Sequence, residues 1–201
     1  MPVPLGCRRA AFPPGFTILE LLFTISLVAT VVAIAIPLTA ATLDHVRATM
    51  AARYMAGRIA ETRTDAVRRS GCVALRFERS GDDYFFAPFV DGNANGVRTA
   101  DIRAGVDRQL GSYERLSDKF PGVRFELLPG VPDADGNAVS DTDGVRIGSA
   151  RILTLSPDGT ATSGTLYLRG RRDQYAVRIL GITGRARVLQ YHSGNRSWIN
   201  R

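Results

Sequence analysis

A chain of 201 residues that is 45% hydrophobic and 22% charged has enough apolar matter for a folded core, which excludes disorder over its length. Its two histidines, His45 and His192, and two cysteines, Cys7 and Cys72, have no metal-ligand spacing, and no nucleophile elbow or phosphate-cradling loop is present; catalysis is not expected and no cofactor is implied. The net charge of +7 is segregated, with residues 78–145 holding thirteen acids against seven bases and residues 146–201 ten bases against two acids, a distribution able to steer a polyanion or an acidic partner.

The first predicted element is an apolar helix. From Phe16 to Ile36 there are 21 residues with a single charge, Glu20, and at about 1.5 Å per residue such a helix matches a hydrocarbon core about 30 Å thick. An ionised carboxylate in that setting requires a partner. Cleavage after Gly15 would supply one, the new α-amine of Phe16, and the Glu20 of one subunit could pair with the amine of its neighbour. Two plainer readings compete: an ordinary secretory signal cut after Ala33-Ile34-Ala35, and an uncleaved membrane anchor. The segment Gly15-Phe16-Thr17-Ile18-Leu19-Glu20, preceded by a short leader with Arg8 and Arg9, resembles the signal of type IV prepilins and type II secretion pseudopilins. That resemblance implies cleavage after Gly15 by a prepilin peptidase, N-methylation of Phe16, and a role for Glu20 in assembly with other pilin or pseudopilin subunits. Pro37 resembles the proline that kinks pilin helices at the end of the membrane stretch. Removal of the leader would leave Cys72 as the one cysteine, expected as a buried thiol.

Beyond Pro37 the helical period resumes. Leu43, Val46, Met50, Tyr54 and Ile59 recur at mostly three- to five-residue steps and are expected to form the buried face. The expected stop is Ser70-Gly71, with Gly71 left-handed and with Arg68 and Arg69 against the negative end of the helix dipole.

The remainder reads as strands. Val73–Glu78 and Tyr84–Val90 flank a turn at residues 79–82 and are expected to form a hairpin. Val123–Leu128 and Val145–Ile147 follow; Arg151–Leu155 and Thr165–Leu168 flank the turn Ser156-Pro157-Asp158-Gly159. Residues 174–182 and 185–191 are joined at Thr183-Gly184, and the last ten residues read as a polar tail carrying Arg196, Trp198 and Arg201. Two long loops, about 91–108 and 129–144, are rich in Gly and Asp. Short strands with frequent turns predict an antiparallel sheet, curved or split in two, packed on the helix. The segment Asp91-Gly92-Asn93-Ala94-Asn95-Gly96, then Ser156-Pro157-Asp158-Gly159, then Gly184-Arg185-Ala186-Arg187, is similar in kind and order to the GspH/FimT family of minor pseudopilins and minor pilins. The expected fold is α+β and type IV pilin-like: leader 1–15, membrane or filament-core helix 16–37, amphipathic continuation 38–70, and a periplasmic β-rich head 71–201 anchored in the inner membrane.

Two candidate binding features remain. Asp91, Asn93 and Asn95 imitate the opening of a calcium loop, but the twelfth position is Ile102 and Asp101 comes one residue early, so a plain turn competes with a weak calcium site. Arg185 and Arg187 should share one strand face, with Arg178 nearby on the preceding strand. Such a cluster suits contacts along a DNA backbone, the role implied by the FimT branch of the resemblance; a solvated edge strand is the plain alternative.

Overall fold

The computed structural model describes residues 15–201, and for residues 37–41 it describes the backbone alone. The leader before Gly15, with Arg8, Arg9 and Cys7, and the side chain of Pro37 lie outside the described residues. The chain divides into two units, ending and beginning at Ala41 and Thr42.

In the first unit α1 (Ile18–Arg69) begins, two residues later than the apolar run. Thr17 fixes the start: its carbonyl accepts the first intrahelical bond, from the Leu21 N–H at 3.1 Å, and its Oγ1 accepts the Glu20 N–H at 3.2 Å, which satisfies one of the donors that a helix start leaves open. Ile18–Ile36 is a 19-residue stretch long and apolar enough to cross a membrane, with none of it buried within the chain.

In the second unit the rest of α1 packs into a β-rich domain. Its buried face is Ala48, Ala51, Ala52, Met55, Ile59, Thr62 and Ala66, at three- and four-residue steps. This corrects the expected face in part. Of the expected residues Ile59 is fully buried and Tyr54 packs against the core, whereas Leu43, Val46 and Met50 are about half exposed, at 46%, 48% and 51%, because four alanines take most of the face turned to the sheets. Alanine lets a sheet come close to the helix axis, and the volume is filled from the strands instead. The helix ends where expected, but Ser70 takes the left-handed conformation (φ 50°). The Gly71 N–H reaches back to the Ala66 carbonyl at 3.2 Å, closing the helix end.

Two antiparallel sheets follow. The hairpin β1 (Val73–Ser80) and β2 (Asp83–Val90) forms as expected, with full register from Val73 opposite Val90 to Ser80 opposite Asp83. A short helix α2 (Thr99–Arg103) interrupts the first long loop, and β3 (Arg108–Gln109), β4 (Glu114–Arg115) and α3 (Leu116–Lys119) lead to β5 (Arg124–Phe125) and β6 (Val145–Arg146). Then come β7 (Ile152–Leu155), β8 (Gly164–Arg169), β9 (Gln174–Leu180), β10 (Arg185–His192) and β11 (Ser197–Asn200). One sheet runs β3-β2-β1-β7, with β4 also on β2; the other runs β11-β10-β9-β8-β5, with β6 also on β8.

Across the Ser156–Gly159 turn Leu155 bridges Ala161, but the flanking strands pair elsewhere, β7 with β1 and β8 with β9, so the chain leaves one sheet for the other between them. Two expectations change here. The strand expected over residues 123–128 shrinks to Arg124–Phe125 because the buried Gln174 side chain takes over the ladder. Its Oε1 accepts the Leu128 N–H at 2.9 Å and its Nε2 donates to the Glu126 carbonyl at 3.0 Å. The polar tail is a strand: Trp198 anchors β11 by donating Nε1–H to the Pro132 carbonyl at 3.1 Å and by packing on Tyr167 and Tyr191.

The inner faces of both sheets and α1 share one core, with Leu75, Phe86, Leu153, Leu166 and Val177 against Met55 and Ile59. Each outer face has its own cover. The loop after β2 lays Val97 and Ile102 on Ala87 and Phe89, and the loop after β5 lays Val131 on Tyr167 and Ala176. Both long loops are thus lids on apolar sheet faces.

Candidate functional site

At the N-terminal junction, Gly15 and Phe16 precede the helix without regular secondary structure, and Phe16 is 83% exposed. An ideal Cβ on Gly15 would meet nothing within 4 Å among the described residues. Glu20 is exposed in the first turn of α1, three residues after the capping Thr17, a threonine-to-glutamate spacing that also stabilises helix starts. The sequence reading had missed this local role. An acid there also complements the positive end of the helix dipole.

The structure brings the three arginines of the basic cluster together in part. Arg187 stands directly opposite Arg178 across β10 and β9, and Arg185 lies two residues along on the same strand. Arg178 is not free: its Nη2 pairs with Asp135 Oδ1 at 2.6 Å and its Nη1 donates to the Ala134 carbonyl at 3.4 Å. Arg185 and Arg187 are exposed and make no ion pair among the described residues. Trp198 is committed to its own packing, and Arg201 donates Nε–H to Gln190 Oε1 at 2.7 Å. The cationic face that remains is therefore narrower than the sequence suggested.

The Asp91 loop closes on itself. Asp91 accepts the Asn93 N–H at 3.0 Å on Oδ1 and the Gly96 N–H at 2.6 Å on Oδ2, while Asn93 Oδ1 accepts the Asn95 N–H at 3.3 Å. The organiser that sequence reading missed is Asp107. It is 2% exposed and accepts the Gly92 N–H at 3.0 Å and the Arg98 N–H at 2.8 Å, one on each oxygen. Gly92 is required because an ideal Cβ there would lie 2.0 Å from the Val106 carbonyl oxygen. Asp101 sits in α2, where its carbonyl accepts the Val106 and Asp107 N–H groups. Among the described residues no group of three or more His, Cys, Asp or Glu is placed to hold a metal ion.

Two polar networks brace the domain. Tyr84, 3% exposed, donates its hydroxyl to Asp143 Oδ1 at 2.7 Å, and Arg151 Nη2 pairs with Asp143 Oδ2 at 2.8 Å. Burial, and then the bond to Asp143, push the Tyr84 phenol up to about 12. For Asp143 burial acts upwards, but the Tyr84 and Arg151 hydrogen bonds outweigh it and hold the carboxyl below its usual range. In the second network Glu114 accepts from Tyr54 and pairs with Lys119 at 2.8 Å and Arg58 at 3.2 Å. Burial again acts upwards on Glu114, and the Lys119 and Tyr54 hydrogen bonds with the Arg58 charge bring it down.

The chain is an α+β protein with one apolar N-terminal helix able to span a membrane and an antiparallel, two-sheet domain. No family model, no curated protein and no solved structure matches it.

Proposed function

We propose that this chain is a minor subunit of a type IV pilin-like filament, most directly a type II secretion pseudopilus. In this reading it enters the inner membrane through the apolar half of α1 with its head in the periplasm. Prepilin peptidase cuts after Gly15 and methylates Phe16, and the mature chain assembles with other pseudopilin subunits. It works by binding and assembly, without a catalytic centre.

One observation carries the reading. A Gly15-Phe16 junction uncrowded among the described residues stands immediately before a capped helix whose 19 residues Ile18–Ile36 are unburied and carry a single charge, Glu20, in the first turn. A lone carboxylate at the head of a membrane-length helix is costly in lipid unless a cation meets it, and a neighbour's new α-amine is such a cation. The half-exposed Leu43, Val46 and Met50, at i, i+3 and i+7 on α1, add an apolar stripe suited to other helices in a filament.

Glu20→Ala tests the assembly role. The variant should insert in membranes as well as the wild type or better, because a charge leaves the apolar stretch. Its recovery in sheared or cross-linked filament fractions should fall severely, and unchanged recovery would reject the pairing.

The unpaired Arg185 and Arg187 favour a second reading, a type IV pilus minor pilin that binds DNA in natural transformation. The protein should then bind duplexes of unrelated sequence, with a log–log salt slope of about −0.9 per phosphate neutralised. Replacing both arginines by Gln should remove about two units of that slope, and a salt-independent interaction would reject this reading.

A further inference from the structure

Alongside the second half of α1 lies an open groove of about 440 Å³, bounded by Ala56, Ala60, Thr64 and Val67 on the helix and by Gly184, Arg185 and Ala186 at the start of β10. Arg63 lines it too. The guanidinium is held between two turns that abut: an ideal Cβ on Gly159 would lie 3.1 Å from Arg63 Nη2, and one on Gly184 would lie 3.5 Å from Arg63 Nε and 2.6 Å from the Gly159 carbonyl oxygen. Both glycines have positive φ, 89° and 58°, so any side chain there would be strained as well as crowded. Arg63 Nε is buried with no hydrogen-bond partner, and neither Arg63 nor Arg185 makes an ion pair among the described residues. Arg63 is thus a cation without a carboxylate partner, with Arg185 at the rim of the same groove, a deficit that an oxyanion removes.

The backbone beside them indicates the kind of anion. On one side β10 pairs with β9 from Arg185 to Gln190, whereas on the other side β11 pairs only with Leu189 to His192. The Arg201 N–H donates to the Val188 carbonyl at 3.0 Å, so Val188 turns its backbone groups away from β9. By the two-residue alternation of an antiparallel ladder, Ala186 turns its N–H and C=O the same way, onto a stretch of edge that β11 leaves open. The helix wall from Ala56 to Val67 is about 16 Å long, the length of about five residues of extended chain. It is lined mainly with small side chains, which allow a backbone to approach.

We propose that this groove binds an extended acidic segment of another polypeptide. The segment adds as a short strand beside Ala186 and places a carboxylate on Arg63 and Arg185. The site lies wholly in the second unit, so it stands whether or not the chain is cut after Gly15.

The test uses the full-length protein in detergent micelles and a fluorescein-labelled, C-terminally amidated peptide Val-Thr-Asp-Thr-Val, read by fluorescence anisotropy. Saturable binding is expected. It should weaken by about tenfold or more when the peptide's Asp becomes Asn, and likewise in Arg63→Gln and Arg185→Gln proteins. Of two peptides N-methylated on alternate residues, one frame should lose binding and the other keep it, since only one set of amides faces the open edge. If Arg63→Gln fails to fold, Arg185→Gln and the peptide variants still decide. The proposal is overturned by no saturable binding at millimolar peptide, by equal binding of the Asp and Asn peptides, or by indifference to N-methylation in both frames. It is also overturned if sodium glutarate or a short DNA duplex displaces the probe at lower concentration than the unlabelled peptide does.

Discussion

Tyr84 and Asp143 hold each other in their neutral-pH protonation states, and the consequence is a stability plateau with two edges. Tyr84 is raised from 10.0 to about 12, so its contribution is complete below the unfolded value and is lost as pH rises through about 12. Asp143 is lowered, so its contribution is present above the ordinary carboxylate value and is lost as pH falls through its depressed one. Ultraviolet titration should show one phenol ionising near 12 that vanishes in Tyr84→Phe, and Asp143→Asn should bring that ionisation down; an unmoved curve in both variants would contradict the network. Neither partner was legible in the sequence, since Tyr84 and Asp143 lie 59 residues apart with no pattern linking them. The Asp91 loop was legible as a turn, because Asp and Asn accept backbone N–H bonds two residues on. Asp107 was not, because a buried acid that organises a distant loop has the same letter as an exposed one.

The helix and the strands differ in how plainly they can be read. Period and stop signals placed α1 to within two residues at its start, and the β1–β2 and β9–β10 hairpins followed from their turn residues. The buried face of α1 was read correctly at Ile59 and Tyr54 but not at Leu43, Val46 and Met50, because close sheet packing selects Ala48, Ala51, Ala52 and Ala66 beside Met55 and Ile59. Ala52→Leu should therefore cost about 1–3 kcal/mol by overpacking, measured by urea denaturation, while Leu153→Ala should cost about 2–5 kcal/mol through the cavity it leaves. Met50→Ala, on the half-exposed face, should change stability little yet reduce filament recovery. Equal destabilisation by Ala52→Leu and Met50→Ala would contradict the assignment of faces. Pairing between β7 and β1, and the order of the second sheet, depend on long-range contacts that no local signal encodes.

At the scale of the whole molecule, a domain with its own two-sheet core follows in the chain a membrane-length apolar helix segment, Ile18–Ile36, none of which is buried. The linear charge segregation folds into local neutralisation: Asp135 answers Arg178, Asp143 answers Arg151, and Glu126 answers Arg169 at 2.6 Å. That is why much of the basic last third is neutralised locally, leaving Arg172, Arg185, Arg187 and Arg196 exposed without an ion pair among the described residues, and why composition overstated the cationic face. The membrane-length helix was legible from sequence, since length and apolarity are written in contiguous residues. The central claim is that this junction is a processing site that frees an amine for Glu20 of a neighbour. Intact-mass spectrometry of the protein, produced in bacteria with and without an active prepilin peptidase, tests it most directly. The account predicts a peptidase-dependent N-terminus at Phe16 bearing one added methyl group; an N-terminus at Met1 or Ile36 in the presence of the active peptidase would contradict it.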